Sequence, residues 1–213
     1  MSEIIKVAPG DALPPETLQR VAAAAKGCKI ICFPTDTVYG LGSTGLIKAA
    51  ARRIYQIKDR STLKPLPILV CSTAEARKWA EWTPAAELLA RAFWPGPLTL
   101  VLRPTADGRL LTFAEYQTIA IRVPGLPLLS ALLQASGVPW VSTSANTAGK
   151  PALTEGAAVT EQFKDQVDFI IDAGSCPGGV ESTLVDASGE PVRIVREGAV
   201  PSAAILAALK QDA

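Results

Sequence analysis

The chain has 213 residues, 48% of them apolar and 19% charged, with a formal net charge of +1. That length supports one substantial core, so a single domain over residues 1–213 is expected, and the composition is that of a globular protein rather than a disordered one. The near-zero charge argues against a nucleic acid held over the whole surface, and the absence of histidine excludes Ser-His-Asp and Cys-His catalysis, His-ligated zinc and imidazole acid–base chemistry.

The N-terminal MSEIIKVAPGD shows no basic-then-apolar leader pattern, and no run of about 18 apolar residues exists to span a membrane, so a cytoplasmic protein without membrane contact is expected. Pro14-Pro15 predicts a helix with Leu18, Val21, Ala22 and Ala25 on one face, stopped by Gly27. Residues 29–32 read as a buried strand. FPTDTVYGLG follows at 33–42, with two threonine hydroxyls, a carboxylate and a phenol within five residues. Gly40 and Gly42 allow a sharp turn or a close approach to a ligand. A strand end crowded with small polar donors suits a ligand mouth in an open α/β sheet, although it also suits a polar strand-to-helix turn.

Leu46, Ala49, Ala50, Ile54 and Ile57 recur at helical spacing. A strand is expected over 66–70, and Ser72 with Glu75 resembles a capping box for a helix through Trp82. Thr83-Pro84 opens another helix that ends near Trp94-Pro95-Gly96. Strands follow at 98–103 and 118–123, a helix at 127–136 stopped by Gly137, and a strand at 138–142 running into STSAN. A helix near 154–164 precedes strands at 169–172, 182–186 and 192–196, and Ser202 is expected to cap a terminal helix. The alternation, broken by adjacent strand pairs, predicts an α/β fold with a twisted, mixed, mainly parallel open sheet and helices on its faces.

Three further groups could carry chemistry. Lys58 and Arg60 suit a phosphate clamp, with Lys64 extending the field, or a cation pair favoured by a helix C-terminus. Ser142, Thr143, Ser144 and Asn146 crowd one strand terminus, as a nucleotide site or a helix start would. Gly178-Gly179-Val180-Glu181-Ser182-Thr183 is a glycine loop whose amides could face a ligand. Arg122 and Arg196 each sit near a strand end, where an arginine covers an edge or anchors an anion. No G-x-x-x-x-G-K-S/T motif is present. The four cysteines form no CxxC pair and read as buried reduced thiols.

Taken together, FPTDTVYGLG, KDR with KPLP, FWPGPLTLVL, IAIRVP, VSTSAN, ESTLVD and VRIVREGAV resemble the YrdC/Sua5 family of L-threonylcarbamoyladenylate synthases, in order from Phe33 to Gly198. The resemblance implies a sheet wrapped around a large basic cavity. It implies conversion of ATP, bicarbonate and L-threonine to threonylcarbamoyl-AMP and pyrophosphate, for adenosine 37 of tRNA. It also implies that Lys58 and Arg60 hold the ATP phosphates and are the catalytic pair. Ser142, Ser144 and Asn146 would contact the nucleotide, with Thr99 and Arg196 facing it. Thr35, Arg122 and Ser182 would surround L-threonine. Mg²⁺ would enter with ATP, with no protein-ligated metal, and a tRNA-modifying threonylcarbamoyl transferase would receive the product. Some members carry a histidine near the position of Leu69, absent here, and the length matches the short single-domain type. Other readings keep the fold: an RNA-binding module, a carbamoyl-adenylate-handling domain, or a nucleotide-binding protein without turnover. The 58–65 loop and the C-terminal segment are the candidate lids.

Overall fold

In a computed structural model of the chain, residues 1–59, 65–113, 115–147 and 149–210 are described. Arg60 and Lys64, and with them most of the expected 58–65 lid, lie outside these residues. In chain order the elements are β1 (Glu3–Lys6), α1 (Pro15–Lys26), β2 (Ile31–Phe33), β3 (Gly40–Thr44), α2 (Lys48–Ile57), β4 (Ile68–Leu69), α3 (Thr73–Trp79), α4 (Pro84–Phe93) and β5 (Leu98–Leu102). They continue as β6 (Ile119–Arg122), α5 (Pro127–Ser136), β7 (Trp140–Ser144), α6 (Gly156–Phe163), β8 (Phe169–Asp172), β9 (Thr183–Asp186), β10 (Arg193–Arg196) and α7 (Ser202–Leu209).

All described strands join one sheet in the order β1-β8-β2-β3-β7-β4-β6-β5-β9-β10. It is mixed, as expected. Four pairings are parallel and five antiparallel, a more even balance than a mainly parallel sheet. Short connections enforce part of this: β2 to β3 and β9 to β10 are chain neighbours that pair directly, and a short link can join only antiparallel strands.

Successive strand residues face opposite sides of a sheet, and here the two sides are covered differently. On one side Cys32, Leu41, Ile68, Leu98, Leu100, Ile121, Val141, Ile170 and Val185 form a continuous core with Ile54 of α2, Leu89 of α4, Phe163 of α6 and Ile205 of α7. On the other, Ile31, Phe33, Trp140 and Ile171 pack with Val21 and Ala25 of α1 and Leu129, Leu132 and Leu133 of α5. Phe33 and Trp140 meet edge to face at 5.4 Å between ring centres, a favourable aromatic geometry. Helices α1 and α5 pack on each other and cover only this part of the second side.

Several boundaries differ from expectation, each for a local reason. Gly40 and Gly42 make no turn; they lie within β3, paired to both β2 and β7. Their lack of a side chain makes room for the Phe33 ring, since a Cβ on Gly40 would fall 2.6 Å from it. Helix α3 stops at Trp79 because Ala80 bridges Pro104 and the Glu81 N–H donates to Arg103 O. The STSAN hydroxyls begin inside β7 rather than after it, and no helix starts there. Ser202 is the first helical residue rather than a cap, with Pro201 at the cap and the Ser202 hydroxyl on Glu197. Ser72 and Thr83 do cap, accepting from the N–H groups of Glu75 and Ala86 at 3.1 Å each.

Candidate functional site

Where α1 and α5 end, the second side of the sheet borders a cavity of about 650 Å³. Among the described residues, none that lines it belongs to a helix. Its floor is the sheet itself, built by strand alternation: Ser142 and Ser144 from β7, Leu69 from β4, Ala120 and Arg122 from β6, Thr99 and Val101 from β5, and Ser182 and Leu184 at β9. These strands are consecutive neighbours in the sheet, so their same-side residues form one surface. A register shift in β10 between Ile194 and Arg196 brings both Val195 and Arg196 to the wall, the re-aiming that a bulge produces at a sheet edge.

The segment between β2 and β3 closes one end. Thr35 Oγ1 accepts the N–H of Thr37 at 3.0 Å and of Val38 at 3.2 Å, fastening the turn. Arg122, only 6% exposed, donates from Nε to Gly96 O at 3.0 Å, from Nη1 to Thr37 Oγ1 at 3.0 Å and from Nη2 to Asp36 Oδ1 at 2.6 Å. Burial draws its pKa below the ordinary arginine value, and the Asp36 carboxylate opposes that pull. Asp36 Oδ2 is buried with no partner among the described residues and is covered by Gly125, where a Cβ would lie 3.1 Å away. Tyr39 also lines the cavity; its hydroxyl donates to Gly174 O at 2.8 Å and accepts from Ala173 N–H at 3.0 Å, and burial pushes the phenol above its ordinary range.

Beside Arg122 on the sheet, Thr99 of β5 and Ser182, just before β9, share a 2.8 Å hydrogen bond between their hydroxyls. Arg196 pairs with Glu181 and donates to Ser182 O at 2.9 Å. Ser144 Oγ donates to Asn146 Oδ1 at 2.9 Å. Lys58, 5% exposed at the end of α2, donates to Ser144 O at 2.8 Å and to both Asn146 oxygens. Its ammonium therefore clasps the end of β7 from behind the wall.

Of the residues singled out from sequence, Thr35, Thr99, Arg122, Ser142, Ser144, Ser182 and Arg196 line one cavity. Lys58 and Asn146 stand behind Ser144, outside the lining, and Arg60 lies outside the described residues. Among the described lining residues the two cations each carry a carboxylate partner, so this wall is hydroxyl-rich and apolar rather than strongly basic. Thr37 belongs to the mouth expected from sequence, whereas Val101, Ala120 and Leu184 were not anticipated, although alternation from Thr99, Arg122 and Ser182 points to them. The wall beside Arg122 is apolar Leu69, its register partner on β4. Among the described residues no group of three or more Cys, Asp or Glu is placed to hold a metal. No helix is long and apolar enough to cross a membrane among them either.

The Sua5/YciO/YrdC family model, described as telomere recombination, matches residues 23–198. A threonylcarbamoyl-AMP synthase of Pyrococcus abyssi is 38% identical over 81% of this chain and 51% of its own length. The chain thus spans about half the length of that curated relative. A threonylcarbamoyl-AMP synthase of Vibrio cholerae is 32% identical over 84% of this chain and 96% of its own length. The crystal structure of P. abyssi Sua5 complexed with L-threonine superposes with a TM-score of 0.92 at 34% identity, covering 98% of this chain and 61% of that one.

Proposed function

The chain belongs to the Sua5/YciO/YrdC family, and from that premise we propose that it is an L-threonylcarbamoyladenylate synthase. It would convert ATP, bicarbonate and L-threonine to threonylcarbamoyl-AMP and pyrophosphate. The observation that carries this reading is the shared cavity lined by Thr99 of β5, Arg122 of β6, Ser142 and Ser144 of β7, and Ser182 just before β9. Its volume of about 650 Å³ falls inside the range of about 300–1,000 Å³ for sites that enclose ligands of this size.

Arg122, with Thr35 and Ser182 nearby, takes the threonine carboxylate, because a guanidinium is the side chain best matched to it. Ser142, Ser144, Thr99 and Arg196 face the nucleotide, and Lys58 with Asn146 holds the Ser144 turn in place. Lys58 and Arg60 together supply positive charge toward the phosphates. Mg²⁺ would enter bound to the ATP phosphates and would neutralise charge on the departing pyrophosphate. Without histidine, catalysis rests on orientation and electrostatics: the threonine amine is carboxylated, and a carbamate oxygen then meets the α-phosphorus in line as pyrophosphate leaves. The adenylate passes to a cytoplasmic threonylcarbamoyl transferase acting on adenosine 37 of tRNA, and any RNA contact is made at that hand-over.

The test is pyrophosphate release from ATP with Mg²⁺, bicarbonate and L-threonine. Release that needs both co-substrates and weakens with L-serine supports the reading. ATP binding without release overturns it.

A further inference from the structure

The hydrogen bonds behind Arg122 run in one direction. Thr35 Oγ1 lies 2.6 Å from Val38 O, an atom that can only accept, so the single Thr35 hydroxyl proton points there. Thr37 Oγ1, 2.8 Å from Thr35 Oγ1, is then the donor in that contact, sharing the two lone pairs of the Thr35 oxygen with the Thr37 and Val38 N–H groups. Its oxygen in turn accepts from Arg122 Nη1 at 3.0 Å. The sequence is therefore Arg122 N–H to Thr37 O–H to Thr35 O–H to Val38 C=O, with both hydroxyls buried at 1% and 6% exposure. Such a chain strengthens cooperatively, since each donor is polarised by the bond it accepts.

We propose that Thr37 is a positioning residue for the amino-acid substrate, acting through Arg122 rather than by donating to the ligand. Asp36 Oδ1 and Gly96 O hold two more guanidinium N–H groups, so three of the five that arginine possesses are tied to the chain. The guanidinium thereby presents its remaining N–H groups in a fixed orientation to a carboxylate in the cavity it lines. A preorganised donor needs no reorganisation when the ligand arrives. The proposal rests on the threonine-dependent reaction above.

Two substitutions at Thr37 separate hydroxyl from shape. Thr37→Val keeps the side-chain outline and removes the donor and acceptor; Thr37→Ser keeps the hydroxyl and drops a methyl group. Calorimetric titration of the full chain with L-threonine and with ATP reads both sites, and the guanidinium ¹H–¹⁵N resonances of Arg122 read its immobilisation without any ligand. The expected result is L-threonine affinity at least about tenfold weaker in Thr37→Val, the scale of one hydrogen bond to a charged group. ATP affinity stays unchanged, Thr37→Ser stays near wild type, and the Arg122 Nη signals, resolved in wild type, coalesce in Thr37→Val. The reverse pattern, with Ser impaired and Val normal, means packing and overturns the proposal, as does parallel loss of both ligands. If wild type releases pyrophosphate on threonine and Thr37→Val binds threonine normally, only this inference fails. A folded wild type that binds no L-threonine overturns the parent reading together with it.

Discussion

Arg122 and Asp36 form a 2.6 Å ion pair whose side chains are 7% and 15% exposed. A buried charge stripped of its partner is far more costly than the pair is stabilising. Asp36→Ala should therefore lower unfolding free energy by about 3–5 kcal/mol in urea titrations, whereas adding Arg122→Met to it should restore much of the loss. Lys58 makes a different prediction. Because its ammonium joins α2 to Ser144 O and Asn146, Lys58→Ala should cost about 1–3 kcal/mol of stability and weaken ATP binding by loosening the Ser144 turn. Full ATP affinity in a stable Lys58→Ala variant would show that the clasp is dispensable. The chemistry of these residues was legible beforehand, since KDR and IRVP put cations at element ends. Their partners were not. Arg122 finds Thr37, Asp36 and Gly96 at separations of 85, 86 and 26 residues, which no local pattern encodes.

Some helix ends are legible because capping is local: α5 and its Gly137 stop, where φ is +64°, and the Thr83 and Ser72 caps follow from adjacent residues, whereas the end of α3 and the start of α7 do not. Strand β3 was missed for the opposite reason. GLG has poor strand propensity, and only pairing on both edges holds it extended. A Cβ on Gly42 would sit 2.7 Å from Val141 O and 3.0 Å from the Phe33 ring, and neither the backbone of β7 nor a fully buried ring can retreat cheaply. Gly42→Ala should destabilise by about 1–3 kcal/mol, as overpacking does, measured by urea denaturation. Gly189→Ala, with nothing within 4 Å, should stay within about 0.5 kcal/mol of wild type. Equal stability of the two variants would show that β3 is not tightly sandwiched.

Across the whole molecule, Asp168 links three elements. It accepts from Ile30 N–H at 2.8 Å before β2, and it pairs with Arg53 of α2 at 2.6 Å and Lys29 at 3.2 Å. Burial raises its pKa, but the Ile30 N–H and the two cations outweigh that and hold it below the ordinary 3.8. A carboxyl depressed in the fold contributes stability that is complete above its unfolded value and is lost as pH falls through its folded one. Thermal midpoints should therefore drop as pH falls below about 4, and Asp168→Asn should be less stable at pH 7 with a flatter acid limb. An unchanged acid limb would sink this assignment.

The order of motifs, the helix caps, the alternation of apolar residues and the lack of histidine made the α/β class, the family and most of the cavity residues readable from the chain alone, because each is a short-range or compositional property. The position of the cavity was not readable. It arises because α1 and α5 cover the second sheet side only as far as Trp140 of β7 and Leu69 of β4, leaving alternate residues of β5, β6 and β9 and the far end of β7 facing open space. Which side a strand residue faces, and whether a helix covers it, depends on pairing between segments far apart in sequence, so only the folded chain decides that Arg122 points into a site while Lys58 braces its wall.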